Sequence, residues 1–404
     1  MSIAAAIQPV PTIAETIKPC QLHVLTLTPF YPSDISEVNG CFVAESLKEL
    51  NAKGVLSSVI AVDSIYHGRR TSIPVYPAQW VRFPQFPGNF GLATAGRFLS
   101  ATLLTKITQL HQHSPIDVIH AHSALPCGHA AALISQRLGI SFVVTVHGLD
   151  VFNNCFQSGL AAKWRRKASI RIYERARKVI CISDRVKALL IDTMGPAIDA
   201  DVVYNGTDAN LFAPRRENDQ PATASPTLLT VGNLLAGKGQ ELVIQAVARL
   251  RDSHPALQCN LIGEGTDRNR FAALAENLGI ADRIHFLGRR NRSDVAEAMR
   301  NCTVFALPSR YEGLGCVYLE AMACAKPVIA CEGQGIAGII RHGSNGWLIP
   351  IDGLEALTQS LRTLLDDAQL RARIGEAARQ TIVNQLTLSH QADSLLKVYQ
   401  EAAQ

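Results

Sequence analysis

The sequence of 404 residues lacks Cys-x-x-Cys pairs, although it contains ten cysteines. Its two closest cysteines, Cys324 and Cys331, are seven positions apart. Structural zinc sites usually take ligands from tighter pairs, so this spacing argues against a zinc site. Most of the cysteines stand in apolar runs, as Cys181 does, which predicts reduced and buried side chains in a cytoplasmic protein.

Long apolar runs are missing as well. No segment reaches the roughly 18 uncharged apolar residues that a membrane-spanning helix needs. Residues 1–19 lack the basic start and the compact apolar run of a signal peptide, and we expect them to form a flexible tail. These absences predict a cytoplasmic protein, with any membrane contact limited to the inner surface.

Charged residues are sparse, at 18% of the chain, and the formal net charge is only +5. A DNA-binding domain usually concentrates positive charge far more, so we expect no nucleic-acid partner. The mild basic bias suits an anionic small ligand or an anionic membrane surface. Apolar residues make up 47%, which is typical of a globular chain and excludes intrinsic disorder.

Short apolar strands alternate with helices of ~10–15 residues, the pattern of βαβ units in a parallel sheet. Three prolines and several charges interrupt this alternation before it restarts. We therefore predict an α/β protein of two Rossmann-like, doubly wound domains that face a central cleft. The predicted units are a first domain over 20–210, a linker over 211–226, a second domain over 227–385, and a helix over 386–404 that packs back toward the first domain.

Residues that directly follow a strand are the first candidates for function, because doubly wound sheets bind ligands at the carboxyl ends of their strands. The strongest candidates follow the predicted strand that ends at Pro308. Gly313 and Gly315 permit close approach to the backbone, and the free N–H groups of the next helix attract an anion. Glu312 and Glu320 flank this helix start.

Two carboxylates beside an anion site need a reason, because carboxylates repel phosphate. They accept paired hydrogen bonds from neighbouring hydroxyl groups, so a polyhydroxylated ligand explains both Glu312 and Glu320. A nucleotide sugar carries phosphates between two such rings and meets both requirements. The alternative is a solvated helix start with ordinary acidic residues, and composition alone does not decide between these interpretations.

A second candidate loop runs from Gly232 to Gly239 and carries Lys238 at the start of the next predicted helix. A lysine there suits a diphosphate as a point charge. The spacing is not that of a Walker loop, because no Ser or Thr follows the lysine. An ordinary surface lysine is the alternative.

A third candidate, His147, stands where a strand of the first domain ends and is able to face the cleft. His120 and His122 end the preceding strand, but a His-x-His pair alone is a weak metal signal, and a buried structural histidine is the alternative. Asp199 and Asp201 form an Asp-x-Asp pattern before a strand, where we expect them to bind nothing. We find no credible set of acidic ligands and expect no metal cofactor.

In their order, these motifs resemble those of glycosyltransferase family 4, whose members have the GT-B fold and transfer sugar from nucleotide sugars with retention of configuration. The resemblance runs from about residue 22 to the end of the chain. It rests on Glu312 and Glu320, with seven residues between them and Ala-Met-Ala after them. Further matches are Gly232 to Gly239, His147 with Gly148, Tyr204 to Asp208, and Ile262 to Gly265.

The resemblance implies a role for each residue of the strongest cluster. Glu320 would bind the ribose diol, and Glu312 would act in catalysis by binding the hydroxyls of the transferred sugar. The backbone N–H groups of Gly313, Leu314 and Gly315 would contact the sugar or a phosphate.

The resemblance also assigns residues outside that cluster. Lys238 would neutralise the diphosphate, His147 would face the donor from the first domain, and the loop that ends at Gly40 would lie near the pyrophosphate. The family often has arginine where this chain has Asn233, so Asn233 would contact the donor without that charge. Arg310 would then supply positive charge instead.

One further glycine pattern, Gly-x-Gly-x-x-Gly from Gly333 to Gly338, follows a predicted strand. A dinucleotide fingerprint needs a substantial helix and an acidic residue ~20 positions on. Asn345 ends any such helix within about two turns, and Asp352 is too close. We therefore expect no NAD binding here. The family also often has Pro-Glu where Ala337 and Gly338 stand, so no carboxylate is expected to act there.

The stretch from Lys163 to Lys178 holds eight Lys and Arg residues against one acid, Glu174. Together with Trp164, these residues could rest on an anionic membrane surface. The alternative is a solvated helix face beside a phosphate-binding cleft.

The sequence thus predicts a retaining glycosyltransferase that moves a hexosyl group from a UDP- or GDP-sugar to a hydroxyl of a sugar or lipid-linked acceptor, in polysaccharide or glycolipid assembly. The first domain would hold the acceptor and the second the nucleotide sugar. Two alternatives stay open: a sugar-nucleotide epimerase of related fold and a non-catalytic protein that binds nucleotide sugars. The intact set of Glu312, Glu320, Lys238 and His147 argues against a decayed site.

Overall fold

The computed structural model describes residues 22–33, 40–66, 73, 75–85, 88–148, 151–152, 159–215 and 225–404, with only the backbone for 88–90. The predicted tail over 1–19 lies outside the described residues. Of the predicted linker, the described residues are 211–215 and 225–226.

The described strands of the first domain form one parallel sheet in the order β3-β2-β1-β4-β5-β6-β7. They are β1 Leu22–Thr28, β2 Val55–Ser64, β3 Gln79–Phe83, β4 Val118–His122, β5 Ser141–Val146, β6 Lys178–Cys181 and β7 Ala200–Val202. The central strands β1 and β4 are buried along their whole length. Because helices cover both faces of such a sheet, its strands read as continuous apolar runs.

The described strands of the second domain form another parallel sheet, in the order β10-β9-β8-β11-β12-β13. They are β8 Thr227–Val231, β9 Gln258–Ile262, β10 Ile284–Gly288, β11 Val304–Ala306, β12 Val328–Cys331 and β13 Trp347–Ile349. In both sheets the strand order reverses beside the first strand, at the point where doubly wound folds bind ligands. The predicted α/β fold of two doubly wound domains is confirmed.

Helices cover both sheets. They are α1 Cys41–Ala52, α2 Gly88–His113, α3 His129–Leu138, α4 Leu160–Tyr173, α5 Asp184–Met194, α6 Gln240–Arg249, α7 Arg268–Asn277, α8 Arg292–Asn301, α9 Cys316–Ala323, α10 Leu354–Asp366, α11 Ala368–Gln385 and α12 Leu388–Ala403. None of these described helices combines the length and the apolar composition needed to cross a membrane.

The last helix, α12, packs on the first domain although it follows the second domain in sequence. Its buried residues Leu395 and Tyr399 share an apolar cluster with Leu47 and Leu50 of α1. An ion pair between Lys53 and Asp393, 2.7 Å long, joins the same two helices at the surface. The end of the chain therefore completes the core of the first domain.

The chain crosses between the domains a second time just before α12. Thr207, at the end of the first domain, forms an isolated parallel bridge with Thr387. Arg379 of α11 donates hydrogen bonds to the carbonyl oxygens of Ala209 and Phe212, each 3.0 Å long. These contacts fix the connection between the domains.

Helix α2 is the largest element that the sequence pattern did not predict. Its residues include several Gly, Ala and Thr, which weaken the apolar periodicity on which the prediction depended. The small residues are used for close packing, since a Cβ at Gly96 would lie 2.4 Å from Cβ of His129 in α3. Tertiary contacts, rather than an amphipathic pattern, therefore stabilise this helix.

Candidate active site

The loop after β11 and the start of α9 form the centre of the candidate site. Gly315 precedes α9 with a φ of 80°, a left-handed conformation that favours glycine. A Cβ at Gly313 would lie 2.8 Å from the carbonyl oxygen of His147 in the first domain. Among the described residues, the N–H groups of Gly313, Leu314 and Gly315 have no acceptor. This loop therefore brings open amide donors to the boundary between the domains.

The glycine pattern that begins at Gly333 supports this loop from behind. The side-chain oxygen of Gln334 accepts the N–H of Glu312 at 3.0 Å, and the N–H of Gly335 donates to the Glu312 carbonyl at 3.1 Å. A Cβ at Gly335 would lie only 1.8 Å from the carbonyl oxygen of Gly313. The glycine is thus required by close packing against the site.

The two candidate loops of the second domain meet in an ion pair. Nζ of Lys238 lies 2.6 Å from Oε2 of Glu312. Gly239 follows Lys238 with a φ of 80°, and a Cβ there would lie 2.2 Å from the carbonyl oxygen of Pro308. The structure therefore brings the predicted diphosphate-binding amine and the predicted sugar-binding carboxylate together.

Glu320 lines a cavity of about 910 Å³, measured with the space that is open to solvent. The cavity lies at the carboxyl ends of β8 and β9 and reaches the start of α1. Other residues of its wall are Glu45, Asn233, Gly263, Arg289, Arg290 and Arg292. Its position is the ligand-binding edge of the sheet.

Arg292 joins Glu320 to the first domain. Nη1 of Arg292 donates to Oε1 of Glu320 at 2.6 Å, and Nη2 donates to Oε2 of Glu45 at 2.9 Å. Nε of Arg292 is also 2.7 Å from Oε1 of Glu45, as an ion-pair contact without the alignment of a hydrogen bond. Burial raises the pKa of Glu45 to about 7, and the charge of Arg292 opposes this shift.

Neither Glu45 nor Arg292 was among the residues predicted from sequence. The sequence could have marked Arg292 as a candidate, because Arg289, Arg290 and Arg292 follow β10 at the ligand-binding edge. Glu45 had no such signal, since it reads as an ordinary acidic residue of α1.

His147 turns its imidazole into the first domain. Its Nε2 lies 2.8 Å from Nδ1 of His122, and the two rings stack with centroids 5.1 Å apart. Phe30 and Phe42 pack against the same ring, with centroids 5.4 and 5.1 Å away. Burial lowers the pKa of His147 to about 3, so its imidazole is neutral at physiological pH. Its Nδ1 is buried and has no hydrogen-bond partner among the described residues.

His120 extends this stack toward α12. Its Nδ1 lies 2.7 Å from the hydroxyl of Tyr399 and its Nε2 lies 2.7 Å from the hydroxyl of Thr145. Its ring stacks on His122 with centroids 4.4 Å apart, and burial lowers its pKa to about 3. Across the described parts of the chain, no group of three or more His, Cys, Asp or Glu residues has the arrangement of a metal site.

The remaining predicted residues take different places. Gly40 precedes α1 with a φ of 82°, and a Cβ there would meet the backbone of Phe30 at 2.4 Å. Asn233 lines the cavity, whereas the side chain of Leu314 is buried, so Leu314 offers its backbone alone. The side chain of Arg310 is half exposed and pairs with Asp352 at 2.7 Å. The structure thus does not bring Arg310 to the pair of Lys238 and Glu312.

The structure partly corrects the prediction that the basic stretch from Lys163 to Lys178 rests on a membrane surface. Arg165 is buried within α4, and Lys178 pairs with Asp201 of β7 at 3.4 Å and with Glu401 at 2.8 Å. Neither side chain is available to a membrane. The exposed cations of the stretch are Lys163, Arg166, Lys167, Arg171, Arg175 and Arg177. Leu160 and Trp164 add apolar surface beside them, with 80% and 42% of their area exposed.

Family models match both domains. Residues 42–211 match the model described as Glycosyltransferase Family 4, and residues 214–381 match that described as Glycosyl transferases group 1. A D-inositol 3-phosphate glycosyltransferase of Stackebrandtia nassauensis is 33% identical over 314 residues, which cover 71% of this chain and 69% of that protein. These matches define the protein as a glycosyltransferase.

Solved structures agree with the two-domain fold. A sucrose-phosphate synthase from Thermosynechococcus elongatus has a TM-score of 0.78 at 21% identity, over 94% of this chain and 99% of that one. Anabaena HepE in complex with UDP has a TM-score of 0.73 at 19% identity, over 94% and 100%. At these identities the likeness establishes the GT-B fold. The chain belongs to glycosyltransferase family 4.

Proposed function

We propose that this protein is a retaining hexosyltransferase that uses a UDP- or GDP-sugar and an acceptor hydroxyl, in the assembly of a polysaccharide or glycolipid. The observation that carries the proposal is the placement of Glu312 and Glu320 on the two sides of the α9 start. Glu312 pairs with Lys238, and Glu320 lines the cavity.

The donor would span these groups. The nucleoside would occupy the cavity, with the ribose hydroxyls donating to Glu320, a carboxylate that accepts without donating. The diphosphate would lie between Lys238 and the open N–H groups of Gly313, Leu314 and Gly315, which supply positive charge and hydrogen-bond donors. Lys238 would leave Glu312 to bind the phosphates. The carboxylate of Glu312 would then be free to bind the sugar.

The chemistry would take place at the boundary between the domains. As the bond from the sugar to the phosphate breaks, positive charge develops at the anomeric carbon, and the carboxylate of Glu312 stabilises it through the sugar. The leaving phosphate accepts the proton of the acceptor hydroxyl. The neutral imidazole of His147 is packed within the first domain, so this residue would border the space with its backbone carbonyl, which a Cβ at Gly313 would approach to 2.8 Å.

UDP is the first nucleotide to test, because Anabaena HepE, which shares the fold, binds it. The experiment is thermal unfolding of the full chain with UDP and with GDP. A nucleotide present at ~100 times its dissociation constant adds ~2.7 kcal/mol of stability, which is easily seen. One nucleotide should raise the unfolding temperature and the other should not.

Further outcomes separate the alternatives. A donor sugar that changes configuration without nucleotide release would indicate the epimerase. Nucleotide binding without turnover on any acceptor would indicate the non-catalytic protein. The absence of a shift with either nucleotide would contradict the proposal as a whole.

We further propose that the enzyme works in the cytoplasm at the inner membrane surface. The exposed cations of α4 and the residues after it, together with Leu160 and Trp164, form a basic and apolar face that suits anionic lipid. A lipid-linked acceptor would be presented to the first domain from this side.

A further inference from the structure

The guanidinium of Arg292 contacts three parts of the molecule at once. It donates to Glu320 of α9 at 2.6 Å and to Glu45 of α1 at 2.9 Å. It also lies over the ring of Phe212, 4.9 Å from the ring centroid, in the segment that connects the domains. One side chain thus touches the cavity wall, the first domain and the connection between them.

The burial of this cluster makes it different from a surface ion pair. The exposed fractions of the side chains are 18% for Arg292, 12% for Glu45 and 6% for Glu320. Exposed ion pairs contribute little, but removal of one partner from a buried pair leaves an uncompensated charge. Arg292 is the ion-pair partner that the structure gives to Glu320 among the described residues.

The geometry also determines which part of Glu320 is held. Arg292 occupies Oε1, and Oε2 has no hydrogen-bond partner among the described residues. The carboxylate is therefore fixed through one oxygen while the other stays open as an acceptor. A planar guanidinium can bind Glu45 and Glu320 through different nitrogens at the same time, which an ammonium group cannot do with the same fixed directions.

We propose that Arg292 is a positioning residue for Glu320, and that Glu45 of the first domain holds Arg292 in place. The proposal rests on the assignment of Glu320 to the ribose. The new element is that nucleotide affinity in the second domain depends on the carboxylate of Glu45 in the first domain, which acts through Arg292. Contact between the domains is then part of the nucleotide site.

The test is UDP binding by the full chain, measured by calorimetry, with GDP used in its place if only GDP binds. Glu45→Gln should weaken nucleotide binding about tenfold, because it loosens Arg292 and thereby Glu320. Glu49→Gln is the matched control, since it makes the same change one turn later on α1, and Glu49 forms no ion pair with Arg292 among the described residues. It should leave the affinity unchanged.

A double-mutant cycle separates action through Glu320 from a general structural effect. In a Glu320→Gln background, Glu45→Gln should cause no further loss of affinity, because the carboxylate that it positions is already gone. Arg292→Lys keeps the charge but loses the planar fork, and it should resemble Glu45→Gln. Thermal unfolding of each variant checks that the fold is retained.

Two results would overturn the inference. Parental affinity in Glu45→Gln, with weakened binding in Glu320→Gln, would contradict the inference and leave the proposed function intact. Additive losses in the double variant would mean that Glu45 does not act through Glu320. If Glu320→Gln itself kept parental affinity, the assignment of Glu320 to the ribose would fail first.

Discussion

Nζ of Lys238 lies 2.6 Å from Oε2 of Glu312, so the residue predicted to hold the diphosphate is paired with the residue predicted to hold the sugar. The pair keeps two partly buried charges balanced before a ligand arrives. A donor would replace it with two separate contacts, one from the amine to phosphate and one from the carboxylate to sugar hydroxyls. The first prediction follows from this exchange.

Lys238→Gln should weaken UDP binding by about ten- to a hundredfold, because it removes a hydrogen bond to a charged group. It also leaves Glu312 unpaired beside the phosphates. Uridine, which has no phosphate, should bind both proteins alike. Arg310→Gln provides the comparison, since Arg310 pairs with Asp352, and it should cause a smaller loss. A Lys238→Gln protein with parental UDP affinity would remove Lys238 from the site.

The second prediction concerns metal. Lys238 and the N–H groups at the α9 start can balance the charge of the diphosphate, so activity should persist in excess EDTA. The measurement is sugar transfer before and after chelation. Full loss of activity, restored by Mn²⁺ or Mg²⁺, would contradict it.

The third prediction concerns acid stability. Burial lowers the pKa values of His120 and His147 to about 3, and also lowers the pKa of His122 well below its usual value. Below pH ~6.5 the unfolded chain binds protons that these folded histidines do not, so stability should fall as the pH falls from there. Glu45 has the opposite effect on stability. Because its pKa is raised to about 7 in the folded state, the folded protein takes up this proton at a higher pH than the unfolded chain does, which favours the folded state as the pH falls.

Urea unfolding at pH 7.5 and 5.5 measures this effect. His122→Gln removes one of the three groups, so its loss of unfolding free energy between the two pH values should be smaller than that of the parent, by on the order of 1 kcal/mol. His113→Gln, on the exposed end of α2, should not change the loss. Equal losses in the parent and in His122→Gln would mean that His122 titrates normally in the folded protein.

The fourth prediction concerns the membrane. Binding to anionic vesicles should fall steeply with salt and should be weakened by a triple change of Arg166, Lys167 and Arg171 to Gln, with nucleotide affinity unchanged. Arg165 is left alone because it is buried.

The matched control makes the same loss of charge on the second domain, where Arg251, Arg268 and Arg373 are exposed. Changing these three to Gln should leave vesicle binding intact. Equal binding to neutral and anionic vesicles would favour the solvated-face interpretation of α4.

The strand-to-helix units and the residues that follow the strands could be predicted from the sequence because they depend on local pattern. Glu312, Glu320 and Lys238 stand directly after strands or at helix starts, and the parallel sheet brings such positions to one edge. The pairing of Lys238 with Glu312 was not predicted, since it depends on how two loops 74 residues apart pack.

Contacts between the domains were beyond the sequence pattern. Glu45 and Arg292 are 247 positions apart, and Tyr399 reaches His120 across 279 positions. The contact between Glu45 and Arg292 depends on the relative placement of the domains, which no local periodicity determines. The return of the last helix was predicted, but not which of its side chains would reach His120. The burial of Arg165 was not predicted either, because a basic residue in a basic helix gave no sign that it would be buried.

The most direct test of the account compares Glu312→Gln and Glu320→Gln for both UDP affinity and sugar transfer, with Glu276→Gln on the exposed face of α7 as control. Glu320→Gln should weaken UDP binding about ten- to a hundredfold, because it removes an acceptor from the ribose. Glu312→Gln should spare UDP binding, since Lys238 is then free for the phosphates, but should reduce turnover about a hundredfold. Parental turnover in Glu312→Gln, or parental UDP affinity in Glu320→Gln, would contradict the assignment of these two carboxylates.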